Sequence, residues 1–397
     1  MRRVRLDRPV SPGATLARDV TGSAGEVIAR AGHALNAGTL RALEVRGVTW
    51  CYVDDRWSEQ IAMTPLDGGR ASVRPLLREF EQRLEDVVAP LLTLSTQRAL
   101  DVMRRTSPTA PLTRGRFIDD LPGAVQVFME ACADASADGG FLIDRGAAGD
   151  DIGHAIGVAA VTSRLVATLG LDPAEQAAIV SAALVHDVGM VLVPRSVRAT
   201  PRDQRTVPER VRYEDHAVFG EVILEPFAMP SMHLSIVAGE HHEAADGSGY
   251  PRHRLGGHRL LRAAEEKRDV NRITLASEIV AVADLYERAV SPSPGFMGRS
   301  PAAASVVIEG AAGSSLNREI VHRLLASYPV LPLGTEVTIS GGPHAGMQGL
   351  VIRLAESDSD LPVLLLYLDE LGRPLDVPIE LDLAHEQDAA VEVADAV

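Results

Sequence analysis

The sequence predicts a mainly α protein, with a helical bundle flanked by a small N-terminal α+β module and a small C-terminal β domain. Three observations carry this. From Asp151 to Ser327 apolar residues recur at helical spacing almost without interruption. Residues 1 to about 55 alternate short β-like runs with one amphipathic helix, and from Leu331 the pattern returns to short alternating runs broken by glycine and proline. The expected divisions are an N-terminal module over 1–62, a helical linker region over 63–145, a helical bundle over 146–329, a β domain over 330–388 and a tail over 389–397.

In chain order, "RRVRL", "ATLARDV", "GEVIARAG" and "WCYVDD" read as strands, and "NAGTLRALEVRG" as a helix capped by Asn36 and stopped by Gly47. Gly68 and Gly69 read as a linker. Val73, Leu76, Leu77, Phe80 and Leu84 then keep helical spacing, predicting one long helix from Ser72 to about Arg105. "LPGAVQVFMEACADASAD" predicts another helix, and "GGFLIDRG" leads into the bundle. "GTEVTISGG", "MQGLVIRL", "LPVLLLYLD" and "PLDVPIELDL" read as strands, followed by an acidic tail expected to fray.

The bulk composition narrows the function. With 397 residues, 46% of them hydrophobic, the chain can bury large cores. A formal charge of -15 argues against a duplex nucleic-acid partner gripped through its phosphates. The N-terminus has charge and proline where a secretory signal needs an apolar run, and no stretch predicts membrane insertion. Two widely spaced cysteines, Cys51 and Cys132, fit a reducing compartment, so the expected location is cytoplasmic.

Eight of the 12 histidines lie between His154 and His258. They sit in "GHAIGV" (His154), "LVHDVG" (His186, beside Asp187), "YEDHAVFG" (His216) and "GEHHEAADGSGYP" (His241, His242), with "AVADLYE" (Asp284) downstream. Most of these segments end or interrupt an apolar helical run, which points the side chains toward a shared interior. Neutral imidazole is the commonest metal ligand, and buried polar groups of this kind need a compensating charge. Five imidazoles and two carboxylates suffice for two divalent ions with one carboxylate bridging, an arrangement suited to phosphoester hydrolysis. In "DGSGYP", Gly247 and Gly249 permit backbone conformations closed to other residues, and Pro251 fixes the exit.

Taken in order, these segments resemble the HD-GYP family, a branch of the HD metal-dependent phosphohydrolases known for hydrolysing cyclic di-GMP. The match covers about residues 150 to 328, and "HHEAADGSGYP" is its most specific element. The resemblance implies an HD-type helical bundle holding two divalent ions, iron or manganese, and sometimes a third. It makes His154, His186, Asp187, His216, His241, His242 and Asp284 the ligands, with Asp187 as the bridge and catalytic centre. Members with a third metal use a Glu one turn before the first His, where this chain has Asp150. Gly249, Tyr250 and Pro251 would shape the substrate pocket. The implied reaction is attack of a metal-bridging hydroxide on a cyclic dinucleotide or related phosphoester, and a homodimer or signalling partner would fit the flanking modules.

Three departures concern the phosphate. Family members carry Lys where Met190 stands, and in a chain whose one lysine is Lys267, drift would have left Arg there. The RPYR or RPYK segment after the Asp284 helix is replaced by "SPSPGFMGRSP", with Arg299 alone. "DxxDAL" becomes "DLYERAV", with Glu287 for the second Asp. An inserted stretch, "RHRLGGHRLLRAAEEKRDVNR", carries seven Arg or Lys against three acids. Arg254, Arg259 or Arg262 would therefore reach over the metals and replace the lost contacts. His233 would serve as acid for the leaving oxygen if it faced inward. The rival expectation is a metal-loaded, catalytically weak module that binds a nucleotide or a protein.

Overall fold

The computed structural model describes all residues except 1, 7–9, 11–12, 22–26, 49, 59–60, 62–65, 138–150, 228–232, 292–297, 355–360, 387–388 and 394–397. The architecture is mainly α, with small sheets toward both ends. At the N-terminus β1 (Arg2–Arg5) pairs antiparallel with β5 (Trp50–Asp54), which also pairs with β2 (Thr15–Leu16), while β3 (Val20–Thr21) pairs with β4 (Val27–Ala29). Between them α1 (Ala37–Val45) starts where Asn36 Oδ1 accepts from the Gly38 and Thr39 amides. It ends before Gly47, whose φ of +74° only glycine adopts cheaply.

The long helix expected from Ser72 to Arg105 is two helices, α2 (Asp67–Val88) and α3 (Thr96–Thr106), joined through a 3-10 turn at Ala89–Leu91. Pro90 explains the break, since it has no amide to continue the helix and its ring collides with the preceding turn. Gly68 and Gly69, expected in a linker, instead open α2. A Cβ on Gly69 would stand 3.0 Å from Ala131 Cβ and 3.2 Å from Phe128, so glycine here permits close packing against α4 (Arg116–Ala137). "GGFLIDRG" and Asp150 lie outside the described residues.

The bundle is built around α5 (Asp151–Ala167), which is buried on nearly all sides. Its small residues Gly153, Gly157, Ala159 and Ala160 let α6 (Pro173–Val185) and α12 (Leu275–Val290) approach closely. Around them run α7 (Arg195–Ala199), α8 (Val207–Glu214), α9 (His216–Leu224), α10 (His233–Glu240), α11 (Ala264–Arg268), α13 (Pro301–Ala311) and α14 (Arg318–Ser327). Local sequence sets the starts: Asp172 caps α6 ahead of Pro173, Thr206 and Glu209 form a capping box on α8, and Thr274 caps α12. The stretch Pro173–Leu192 has the length and hydropathy of a membrane span, but most of it is buried in the bundle.

At the C-terminus β6 (Glu336–Ile339), β7 (Gln348–Arg353), β8 (Val363–Leu368) and β9 (Pro374–Asp382) form an antiparallel sheet. The tail is not wholly frayed: β10 (Val391–Val393) pairs with the exposed edge of β6, Val391 opposite Ile339. An unpaired edge offers amides and carbonyls, and the tail satisfies them. Trp57 and Ile61, from the end of the N-terminal module, pack into the core of this sheet, with the Trp57 ring 4.9 Å from Tyr367.

One glycine ties the fold to the histidines. Gly189 lies in the 3-10 turn Val188–Leu192 directly after Asp187, and a Cβ there would stand 2.0 Å from the His216 carbonyl oxygen and 2.5 Å from the Gly220 amide. The turn carrying His186 and Asp187 therefore rests on the backbone of α9. Gly189→Ala is expected to force these backbones apart and destabilise the protein by about 1–3 kcal/mol or more. The shift in the urea midpoint measures it, and an unchanged midpoint would show that the contact is looser than described.

Candidate metal centre

Helix ends place the imidazoles. His186 follows the last residue of α6, His216 follows α8 and opens α9, and His241 follows α10. The last carbonyls of a helix have no amide partner within it, and these rings use them. His186 Nδ1 lies 2.8 Å from the Ala183 oxygen, His216 Nδ1 2.6 Å from the Tyr213 oxygen, and His241 Nδ1 3.0 Å from the Ala238 oxygen, each three residues back. A carbonyl cannot donate, so each Nδ1 carries the proton and each Nε2 presents a lone pair. His154, in the second turn of α5, is tethered differently: its Nδ1 lies 2.6 Å from Glu287 Oε2 on α12. Carboxylate-bound histidines of this kind are held in one tautomer and made better ligands.

All four Nε2 atoms turn toward Asp187. Its Oδ2 lies 3.5 Å from both His154 Nε2 and His186 Nε2, and its Oδ1 lies 3.2 Å from His216 Nε2 and 3.3 Å from His241 Nε2. Thus the two oxygens of one carboxylate face two separate pairs of imidazoles. His242 joins the second group, its ring 4.1 Å from His241 and 5.0 Å from His216. Asp284 joins the first, with Oδ1 3.0 Å from His154 Nε2 and 3.8 Å from His186 Nε2.

This donor set fits cations. His216 Nε2 and His241 Nε2 stand 3.4 Å apart with lone pairs opposed, and Asp187 Oδ1, His186 Nε2 and His242 Nε2 are buried without a hydrogen-bond partner. Such acceptors repel one another unless positive charge lies among them. Two ligands about 2.1 Å from one ion and at right angles lie about 3 Å apart, close to the separations around Asp187. Protonation answers the need poorly, because burial pushes the His186 imidazole down to about 4 and holds His242 well below its usual range. Burial opposes ionisation of Asp284, but the Arg288 guanidinium holds its carboxyl well below the usual range.

Sequence reasoning missed two side chains. Glu287, read as a departure from "DxxDAL", is the tether of His154 and is fully buried. Arg288 donates from Nε to both Asp284 oxygens, at 2.7 and 2.9 Å, and from Nη2 to Asp187 Oδ2 at 3.0 Å. Their signal was the helical spacing: positions three and four after Asp284 share its face.

The other expected substrate contacts divide. The Tyr250 ring packs 4.7 Å from His242, and its amide donates to the His242 carbonyl at 3.0 Å. Gly249 is required there, since a Cβ would stand 2.2 Å from the Ala244 amide and 2.4 Å from the His242 oxygen. Gly249 and Pro251 thus hold Tyr250 against the histidines. The inserted arginines do not reach over the cluster as expected. Arg254 pairs with buried Glu240 on α10, and Arg262 pairs with buried Glu278 on α12 while donating to the Ile273 carbonyl. These ion pairs fasten the insert to the bundle. Arg259 is exposed, its carbonyl accepting from Asn317. Met190 is buried with Val193, Val197 and Tyr213, an apolar setting that a lysine would leave. His233 stands beside Glu175, two helical turns or about 12 Å along α10 from His241, so it does not join the cluster.

Part of the chain is similar to known proteins. Residues 131–320 match the family profile described as HD domain. That match covers just under half of the chain. The chain is similar to 3'3'-cGAMP-specific phosphodiesterase 3 of Vibrio cholerae, 26% identical over 219 residues that cover 54% of this chain and 42% of that protein. It is also similar to the cyclic di-GMP phosphodiesterase response regulator RpfG of Xanthomonas campestris, 31% identical over 131 residues, 32% of this chain and 30% of that protein. The matched regions span less than half the length of these curated relatives. Among solved structures, Bd1817, described as an HDG"Y"P protein from Bdellovibrio bacteriovorus, aligns with a TM-score of 0.40 and 13% identity over 81% of this chain and 97% of its own.

The low value for His186 has a consequence for the metal-free protein. The unfolded chain takes up a proton on this ring near 6.5, while the folded chain takes it up only near 4. Between those values the unfolded state binds more protons, so stability falls as pH is lowered through the window. A thermal midpoint of chelator-treated protein that declines from pH 6.5 to pH 4 is expected; a flat midpoint would contradict a buried, neutral His186.

Proposed function

We propose that this chain is a phosphoric diester hydrolase that cleaves a cyclic dinucleotide, cyclic di-GMP or 3'3'-cGAMP, at a centre of two divalent cations. His154, His186, Asp187 and Asp284 would hold one ion, and Asp187, His216, His241 and His242 the other. The observation that carries this reading is the division of Asp187: its two oxygens face two separate imidazole pairs, as a bridging ligand requires. A mixed imidazole and carboxylate set suits iron or manganese. When bound, such a pair supplies positive charge to a phosphoryl oxygen and lowers the pKa of a water.

The chain's own residues would do the rest. The Nδ1 tethers keep the imidazoles aimed, so that little rearrangement accompanies binding. Tyr250, held against His242, offers a flat ring beside the centre on which a purine can rest. The relatives named for cyclic dinucleotides support the substrate class. The alternative, a metal-loaded module that binds a nucleotide and turns it over weakly, is favoured by buried Met190 and by Arg288 seated on both carboxylates.

Incubation of manganese- or iron-loaded protein with a panel of cyclic dinucleotides and simple phosphoesters separates these readings. Hydrolysis of a cyclic dinucleotide is expected, reduced about a hundredfold or more by Asp187→Ala. Nucleotide binding without product would establish the alternative, and product undiminished in the variant would place the activity elsewhere.

A further inference from the structure

We propose that Arg288 is a substrate-contacting residue: a cation carried by α12 that shares Asp284 and Asp187 with the divalent ions and makes the phosphate contact that Met190 cannot. This rests on the metal-dependent reading above. Arg288 lies one helical turn after Asp284, so the helix itself fixes the pair. Nε and Nη2 spend one donor each on the inner side, against Asp284 and Asp187. A guanidinium has five donors in one plane, and these bonds leave Nη1 without a partner among the described hydrogen bonds. Its side chain is 32% exposed, against 6% for Asp284 and 12% for Asp187. Arg288 is therefore the most exposed charge of the three.

Three arginines of the 252–272 insert are committed to other carboxylates. Arg252 pairs with Glu221, Arg254 with Glu240 and Arg262 with Glu278. Among the described ion pairs, Arg288 is the one arginine joined to the cluster carboxylates. The planar fork matches two non-bridging oxygens of a phosphodiester, and its inner contacts hold it in place for them. The same contacts set it against the divalent ions, because two like charges then draw on the same carboxylate oxygens.

The experiment uses full-length protein stripped of metal, as wild type, Arg288→Ala and Arg288→Lys. Circular dichroism and the thermal midpoint check folding, and Arg288→Lys retains a charge at the position should the alanine variant fail to fold. Titration with Mn2+ alone is expected to show tighter binding in Arg288→Ala by about fivefold or more, because a competing cation is gone. Binding of inorganic phosphate to the Mn2+-loaded protein is expected to weaken about tenfold to a hundredfold in Arg288→Ala, the loss of a charged hydrogen bond. Arg288→Lys should fall between, since a point charge replaces the fork. Unchanged phosphate affinity, or Mn2+ affinity that is unchanged or weaker, overturns the proposal. Neither measurement needs turnover. Wild-type protein that binds Mn2+ and phosphate but hydrolyses no cyclic dinucleotide would defeat the hydrolase reading while leaving the Arg288 comparison intact.

Discussion

Everything at this centre depends on one hydrogen bond repeated at the ends of helices. A helix leaves its last carbonyls unsatisfied, and a histidine placed just beyond its end can donate Nδ1–H to one of them. His186, His216 and His241 each do so to the residue three positions earlier. The bond settles the backbone's deficit and the ring's tautomer together, and it leaves every Nε2 lone pair facing inward. Without it the rings would be free to turn, and Asp187 would have no reason to stand between two pairs of them. His154, inside a helix where no carbonyl is spare, takes its tether from the Glu287 carboxylate instead.

The charge balance follows from that placement. Asp187 and Asp284 are acids faced by imidazole lone pairs, so the site without ions is short of positive charge. Arg288 supplies part of the deficit from the same helix as Asp284. The bundle meets a second demand of the same kind nearby. Glu240, Glu243 and Glu278 are buried acids that collect the backbone amides and arginines of the 252–272 insert. A basic segment in an acidic protein is thereby spent on holding the "GYP" turn and its neighbours in place.

The sequence made the centre legible because its chemistry is local: "LVHDVG", "GEHHEAADGSGYP" and "AVADLYE" each put ligand-type residues at a break in an apolar run. The helical bundle and the terminal sheets were legible from periodicity. What escaped depended on partners far along the chain. The engagement of Arg254 and Arg262 is decided by Glu240 and Glu278, which carry no mark in the sequence that they are buried acceptors. The packing of Trp57 against Tyr367 and the pairing of Val391–Val393 with β6 join segments that are distant in sequence. Glu287 and Arg288 could have been found, since both share a helix face with Asp284, but family comparison presented Glu287 as a defect and passed over its neighbour.

The most direct test of the account is a count of ions by anomalous diffraction from crystals of the manganese-loaded protein, recorded at the manganese edge. The account predicts two anomalous peaks in each chain, one on either side of the Asp187 carboxylate. A single peak, or peaks away from the imidazole Nε2 atoms, would contradict it.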